Sequence, residues 1–549
     1  MYGFSVSKNG ILTDNYFKLT DHYEITEPQG IYILVKKKKN EIIIKQDFQG
    51  NFGLYLYQNQ NKDYFAFSNS FLLLEEYLIG KQNFSINRDY ANNFVISYLC
   101  SESIYETMIK EIIKIPSNKI LVINIKNKTF KNYTIDYKES TIPFESIEGL
   151  KIIDKWINKW GYIIRSLLKK TDNISSDLSG GFDTRTILSI FLNSGIDINK
   201  ILIHSAKDKK TCHEEDFEIA SLIASKFGFK LNYHRLDNSG ILWSLRDKLL
   251  CSFYSKLGFH KEFYFKNKFY EKPRFHFHGG GEIRGYPGLP IKKYIKSLSD
   301  KGKKLGNEFF FSSKRLYDRS VTLLKKEKDF ENDYDISSYF YQKGRSAIHD
   351  GKTGLEGFLA NEYLIQPLID SDIKKIKFNK SENSAHDLIA YIYVRFAHDL
   401  IYFPFQGNRT LNIKSILKAE KLNKLNKPYK VKYDYNINFF IDSQRKLPLS
   451  ESKDNKDAVL FLQELFDKPK FIEEIKKIFK IKVYIWAREY AKKHNYHPLR
   501  YLYGLFSIAL TFRCLLLNKK YQYKFKKNSF LKEYIYYLIK FNNNYKYLF

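Results

Sequence analysis

Between Asp177 and Leu188 the chain reads DLSGGFDTRTIL, the stretch whose residue types and spacing best suit a bound ligand. Ser179, Gly180, Gly181, Asp183 and Thr184 set two adjacent glycines beside two hydroxyls and a carboxylate. If a strand ends and a helix begins here, the backbone N–H groups of Gly180, Gly181 and their neighbours are unpaired and converge on an anion. Glycine allows a phosphate to approach closely, Ser179 and Thr184 add hydroxyl donors, and Asp183 can hold a Mg²⁺ that neutralises the phosphates. A bare Ser-Gly-Gly would read as a plain turn with Asp183 or Thr184 as helix cap. The added Asp and Thr favour phosphate binding.

That chemistry requires a strand before the loop and a helix after it, and the flanking patterns predict both. NISSDL reads as a strand and TRTILSIFLNSG as a helix stopped by Gly195. A strand KILIHSA, a helix EEDFEIASLIASKFG and a strand KLNYHRL follow. Such βαβ units imply a parallel sheet with ligands at the carboxyl ends of its strands. Just upstream, Ile152, Ile153, Trp156, Trp160, Ile163, Ile164, Leu167 and Leu168 recur at helical spacing and predict an amphipathic helix.

Residues 1–135 have a different texture. Three antiparallel hairpins are predicted: Ile31–Val35 with Ile42–Ile44, Phe52–Tyr57 with Tyr64–Phe67, and one within KILVINIKNKTFKNYTI. FLLLEEYLIG reads as a helix ending at Gly80. The segment KESTIPFESIEGL, 138–150, carries the Pro, Ser, Thr and Gly of a boundary, giving domains at 1–140 and 150–549. From about residue 300 the pattern is mainly helical, with no internal repeat.

With these elements in place, Ser179–Thr184 resembles the SGGxDS or SGGxDT pyrophosphate loop of the ATP pyrophosphatase superfamily. The β-rich region ahead of it makes the whole chain similar to the asparagine synthetase family in particular. HEEDFEIASLIASKFGF resembles that family's acidic-start helix, and FHFHGGGEIRGYPG (275–288) its second glycine-rich loop. NEYLIQPLIDSDI (361–373) resembles its Pro-Phe-Leu-Asp segment through Pro367 and Asp370, and PLRYLYGLFSIAL its closing helices.

The resemblance implies an α+β first domain of antiparallel sheets, like the N-terminal-nucleophile hydrolases. An α/β parallel-sheet synthetase domain with a largely helical C-terminal part would follow. It implies a two-step ligation in which a carboxylate attacks the α-phosphorus of ATP with Mg²⁺, giving an acyl-adenylate and pyrophosphate, before ammonia or an amine displaces AMP. Leu178, Ser179, Gly180, Gly181, Asp183, Thr184, Ile203, Ser205 and Gly280 would bind the nucleotide. Asp183 and Glu282 would hold Mg²⁺, although Gly281 falls where the family's metal-binding Asp is expected. His278 falls where a residue orients or deprotonates the incoming nucleophile; a histidine packed at a strand end is the alternative. Arg409 and Lys414 are candidates for the cation that steadies the adenylate. Glutamine-dependent members begin Met-Cys and this chain begins Met1-Tyr2, so the first domain is expected to be a degenerate amidotransferase that hydrolyses no glutamine.

Composition narrows the alternatives. Ninety-one Lys and Arg against 60 Asp and Glu give a net charge of +31, spread along the chain rather than clustered, so nucleic acid is not the expected partner. An acidic substrate suits the excess, and the resemblance implies a small-molecule or saccharide carboxylate in surface-polysaccharide or secondary-metabolite synthesis. Cys100, Cys212, Cys251 and Cys514 lack CxxC spacing and read as reduced thiols. Cys212, His213, Glu214 and Glu215 could suggest a metal, but a charged segment opening a helix explains them better. Glu362 and Asp370 could serve the site or pair with nearby lysines. Near the end, Phe530, Leu531, Tyr534, Ile535, Leu538 and Ile539 share one helical face that could dock on its own domain or touch an anionic membrane. No run approaches the ~20 apolar residues of a membrane span, and a cytoplasmic location is expected. A catalytically silent nucleotide-binding relative with a scaffold role, and an RNA-modifying adenylating enzyme, are the competing functions.

Overall fold

The computed structural model describes residues 2–7, 10–13, 29–78, 81–96, 103–139, 141–207, 211–233, 241–242, 268–270, 272–280, 288–304, 306–359, 361–377, 384–407, 409–427 and 440–441. Its N-terminal region is antiparallel. Strands β1 (Tyr2–Ser7), β2 (Gly10–Thr13), β3 (Gly30–Lys38) and β4 (Glu41–Gln46) are followed by β5 (Tyr55–Gln58), β6 (Phe65–Ser68), α1 (Phe71–Leu78), α2 (Arg88–Ile96), β7 (Ile112–Lys114), β8 (Lys119–Asn124) and β9 (Thr129–Thr134). Apart from one short parallel addition, all pairing here is antiparallel, in the orders β2-β1-β3-β4-β8-β9 and β6-β5-β7. The lysine run extends the first hairpin. Lys36, Lys37 and Lys38 pair with Ile43, Ile42 and Glu41, and the turn lies at Lys39, φ 38°.

The predicted boundary is itself tied down. β10 (Ile142–Pro143) pairs in parallel with a strand more than 200 residues later, Ile376–Lys377. Then α3 (Ile147–Leu168) opens where the Ser146 side chain accepts from the Gly149 N–H, and it buries Ile153, Trp156, Trp160, Ile164 and Leu167 on one face.

The second sheet is parallel throughout. β11 (Ile174–Asp177), α4 (Phe182–Asn193), β12 (Leu202–His204), α5 (Thr211–Phe227) and β13 (Leu231–Asn232) make two consecutive βαβ units. The short pair β14 (Ile241–Leu242) and β15 (Lys268–Phe269) precedes β16 (Arg274–Phe277). Helices α6 (Ile291–Asp300), α7 (Asn307–Glu327), α8 (Asp333–Phe340) and α9 (Ala347–Leu359) then lead to β17 (Glu362–Ile365). The strand order β13-β12-β11-β16-β17 sends the chain outward in one direction from β11 and then in the other from β16. That reversal opens a crevice between the carboxyl ends of β11 and β16. The strand β17 was not predicted from the sequence, because its run Glu-Tyr-Leu-Ile is short and buried on both faces.

β18 (Ile376–Lys377), α10 (Ser384–Phe396), α11 (Ile413–Leu425) and β19 (Phe440–Ile441) complete the described chain, and β19 joins β2. One apolar core runs from the N-terminal sheet to the parallel one, with the Phe4 ring 5.2 Å from that of Tyr363 on β17. A satellite core unites α6, α7 and α8 with Ile104. Beside it, Arg319 on α7 grips Asp89 and Glu106 at 2.7 and 2.9 Å. The apolar face at 530–539 lies outside the described residues, among which no helix is long and apolar enough to cross a membrane.

Candidate functional site

The glycine pair lies where the sequence placed it, between β11 and α4, at the crevice. Gly181 is the N-cap of α4, at φ −82° and ψ 165°, and no side chain caps that helix. Asp183 therefore lies in the first turn rather than at a cap, and Thr184 reaches back to accept the Ser179 N–H at 3.0 Å. The loop N–H groups are not unpaired, as the sequence reading had them. Gly181 donates to Ser179 Oγ at 3.1 Å, and Gly180 donates to Asp216 Oδ1 on α5 at 2.7 Å. A buried amide finds an acceptor when it can, and the acidic start of α5 supplies one. The Asp216 carboxylate thus occupies the kind of position that a phosphate oxygen would take.

Sterics around the loop demand glycine. A Cβ on Gly180 would stand 2.8 Å from Asp216 Oδ1 and 3.1 Å from the Gln406 backbone N, and one on Gly279 would stand 2.9 Å from the Thr184 N. The loop is backed by residues 403–406, with Gln406 N donating to Gly180 O at 3.1 Å. Arg185, fully buried in the first turns of α4, fixes that backing. Its guanidinium donates to Phe403 O, Pro404 O and Gly180 O and lies 3.9 Å from the Phe405 ring. Burial draws its pKa down to about 10. Arg409 is brought to the same place, exposed, with Nε donating to Gln406 O at 2.7 Å and its guanidinium 5.9 Å from the Phe182 ring. Lys414 is exposed in the first turn of α11.

The other expected nucleotide contacts divide. Leu178 and Ile203 are buried in the core, so only their backbones can face a ligand. Ser205, just beyond β12, is 2% exposed, and its Oγ has no hydrogen-bond partner among the described residues. Gly280 lies against His278, where a Cβ would come within 3.3 Å of Asp350 Oδ1. Gly281 and Glu282 lie outside the described residues, as do the side chains of Cys212 and His213. Glu215 is committed elsewhere, its Oε1 accepting the Gly407 N–H at 2.6 Å.

Neither later acid serves the crevice. Glu362 is fully buried opposite Arg274, at the amino end of β17 and so at the far edge of the sheet. Asp370 is fully buried in a structural cluster. It accepts from Trp160 Nε1 at 2.8 Å, Gln29 Nε2 at 2.8 Å and Lys159 Nζ at 2.6 Å.

A polar row not expected from the sequence lies on one face of the parallel sheet. Across the strands Ser175 pairs with His276 and Asp177 with His204, so these side chains share a face. Asp177 Oδ2 lies 3.0 Å from His276 Nε2 and 3.8 Å from His278 Nδ1, and Asp177 Oδ1 lies 3.4 Å from His204 Nδ1. Ser175 Oγ accepts from Arg274 Nε at 3.1 Å and lies 2.9 Å from His276 Nδ1. The available signal was the strict alternation Arg274-Phe275-His276-Phe277-His278, a period-two pattern that puts the basic residues on one side.

No protein-family model matches the chain, and no curated protein matches it.

Proposed function

We propose that this chain is an ATP-dependent carbon–nitrogen ligase of the asparagine-synthetase kind, with an N-terminal-nucleophile-like first unit and a pyrophosphate-loop synthetase unit. The observation that carries the reading is the Ser-Gly-Gly-Phe-Asp-Thr loop at the crevice of a parallel sheet, opening a helix without a side-chain cap. With the Asp216 carboxylate turned away from the Gly180 N–H, the residues would fit a Mg²⁺-bound triphosphate. The amino end of α4 and Ser179 would stabilise charge developing on the pyrophosphate, and Asp183 would hold the ion. Ser205 Oγ, a buried hydroxyl lacking a partner among the described residues, supplies a further polar contact beside the loop. Of the two candidate cations, Arg409 is the one held against the residues that back the loop, through Gln406 O, while Lys414 is farther along the chain in α11.

Bound MgATP supplies activation of a carboxylate by adenylylation; the chain binds, orients and neutralises. An anionic substrate, such as a saccharide carboxylate, agrees with the +31 net charge, and ammonia or an amine is the nitrogen donor.

The test is exchange of labelled pyrophosphate into ATP across aspartate, uronic acids and other carboxylates. We expect exchange that depends on one carboxylate class and that Asp183→Ala abolishes. ATP binding without exchange on any carboxylate would replace this reading with a nucleotide-binding role lacking catalysis. RNA-dependent exchange with a steep salt slope would replace it with an RNA-modifying one.

A further inference from the structure

We propose that Asp177, His276 and His278, with His204 at the rim, form a binding site for one borderline transition-metal ion, Zn²⁺ in the first instance. It lies at the carboxyl edge of the parallel sheet and is separate from the Mg²⁺ position assigned to Asp183. The inference stands on its own geometry and does not depend on the ligase reading.

Three features support it. The first is convergence: one ligand atom from each of Asp177, His276 and His278 lies within 4.8 Å of the others, Asp177 and His276 on adjacent strands and His278 one residue beyond β16. Ligands held about 2.0–2.1 Å from a tetrahedral ion stand about 3.3 Å apart. The separations of His276 and His278 from Asp177 Oδ2, 3.0 and 3.8 Å, bracket that spacing, so side-chain rotations could bring the three onto one ion, while His204 faces the other oxygen, Oδ1, at 3.4 Å.

The second is donor chemistry. Imidazole nitrogens with one carboxylate suit Zn²⁺, Co²⁺ or Fe²⁺, whereas Mg²⁺ takes oxygen donors. The glycine-loop carboxylate and the histidine row therefore select different cations.

The third is outer-shell support. A metal-bound imidazole is usually oriented by a hydrogen bond at its other nitrogen. His276 has Ser175 Oγ 2.9 Å from Nδ1, and Ser175 is in turn held by Arg274, itself 3.1 Å from the Tyr270 hydroxyl. Strands hold such ligands more rigidly than loops. Asp177 and His278 are only half-buried, which leaves room for a water or substrate atom as a further ligand.

The experiment uses the full chain, stripped with a chelator and titrated with Co²⁺ alone, without ATP or Mg²⁺. We expect one equivalent to bind with the intense visible absorption of four- or five-coordinate Co²⁺, and Zn²⁺ to displace it. His278→Ala and Asp177→Asn should each weaken binding by about tenfold or more, and Ser175→Ala by roughly tenfold. His278 is half-exposed, so its variant is expected to fold, as checked by circular dichroism and the melting temperature. If His276→Ala does not fold, the His278 and His204 variants carry the comparison. A spectrum no different from hydrated Co²⁺, or binding unchanged in folded His278→Ala and Asp177→Asn, overturns the proposal and leaves a histidine–aspartate hydrogen-bond network. Because no nucleotide is present, this result is independent of pyrophosphate exchange.

Discussion

Gly180 is where the loop tolerates least change. An added methyl would press on the Gln406 backbone and the Asp216 carboxylate together, and backbone cannot turn aside as a side chain can. Gly180→Ala should weaken ATP binding by at least about tenfold, or about 1.4 kcal/mol by titration calorimetry. Arg185 has a different part. Arg185→Met would remove the charged donor shared by three carbonyls around the loop; Gly180 O keeps the Gln406 N–H, and a hydrogen bond to a charged group is worth about 1.5–3 kcal/mol net. A melting temperature lower by several degrees, read by calorimetry, is the expected result. The loop's residue types were legible because they are contiguous. The Asp216 contact and the burial of Arg185 were not, since their partners lie 36 and 218 residues away and local patterning carries no trace of them.

At the scale of elements, the strand–loop–helix setting of the site was readable from periodicity, as were the hairpins from β3 to β9. What escaped includes β7, α2 and β17 and, with the last, the role of the segment after it. Pro367 and Asp370 resemble a family site motif, yet Asp370 links α3 to the N-terminal unit through Trp160, Lys159 and Gln29. Next to it, Asp372 is pushed upward by burial, but Lys159 and Lys375 outweigh this and hold its carboxyl at about 2. Its pKa is thus depressed in the folded state, so its contribution is full above the unfolded carboxylate value of about 4 and is lost as pH falls toward about 2. Asp372→Asn should lower stability by at most about 2 kcal/mol at neutral pH, by much less near pH 2, and by nothing at about pH 1. Urea unfolding midpoints at several pH values would show the two curves converging; parallel curves would exclude the effect.

At the scale of the whole molecule, the sheets are antiparallel in the N-terminal region and parallel later, and one apolar core is continuous between them. Helix α9 lies at that junction. Its Gly351 abuts the Asn51 backbone, where a Cβ would stand 2.3 Å from the carbonyl oxygen, while the neighbouring Asp350 stands beside Gly280. Gly351→Ala should therefore cost about 1–3 kcal/mol by overpacking, and ATP affinity should fall along with the melting temperature. A substitution felt only locally would lower the melting temperature and leave affinity unchanged. Between the Asn51 backbone and the glycine loop at Gly280 stand two consecutive residues of α9, Gly351 and Asp350. α9 is in mechanical terms a wedge seated between the two, so a shift of it away from Asn51 is also a shift against Gly280.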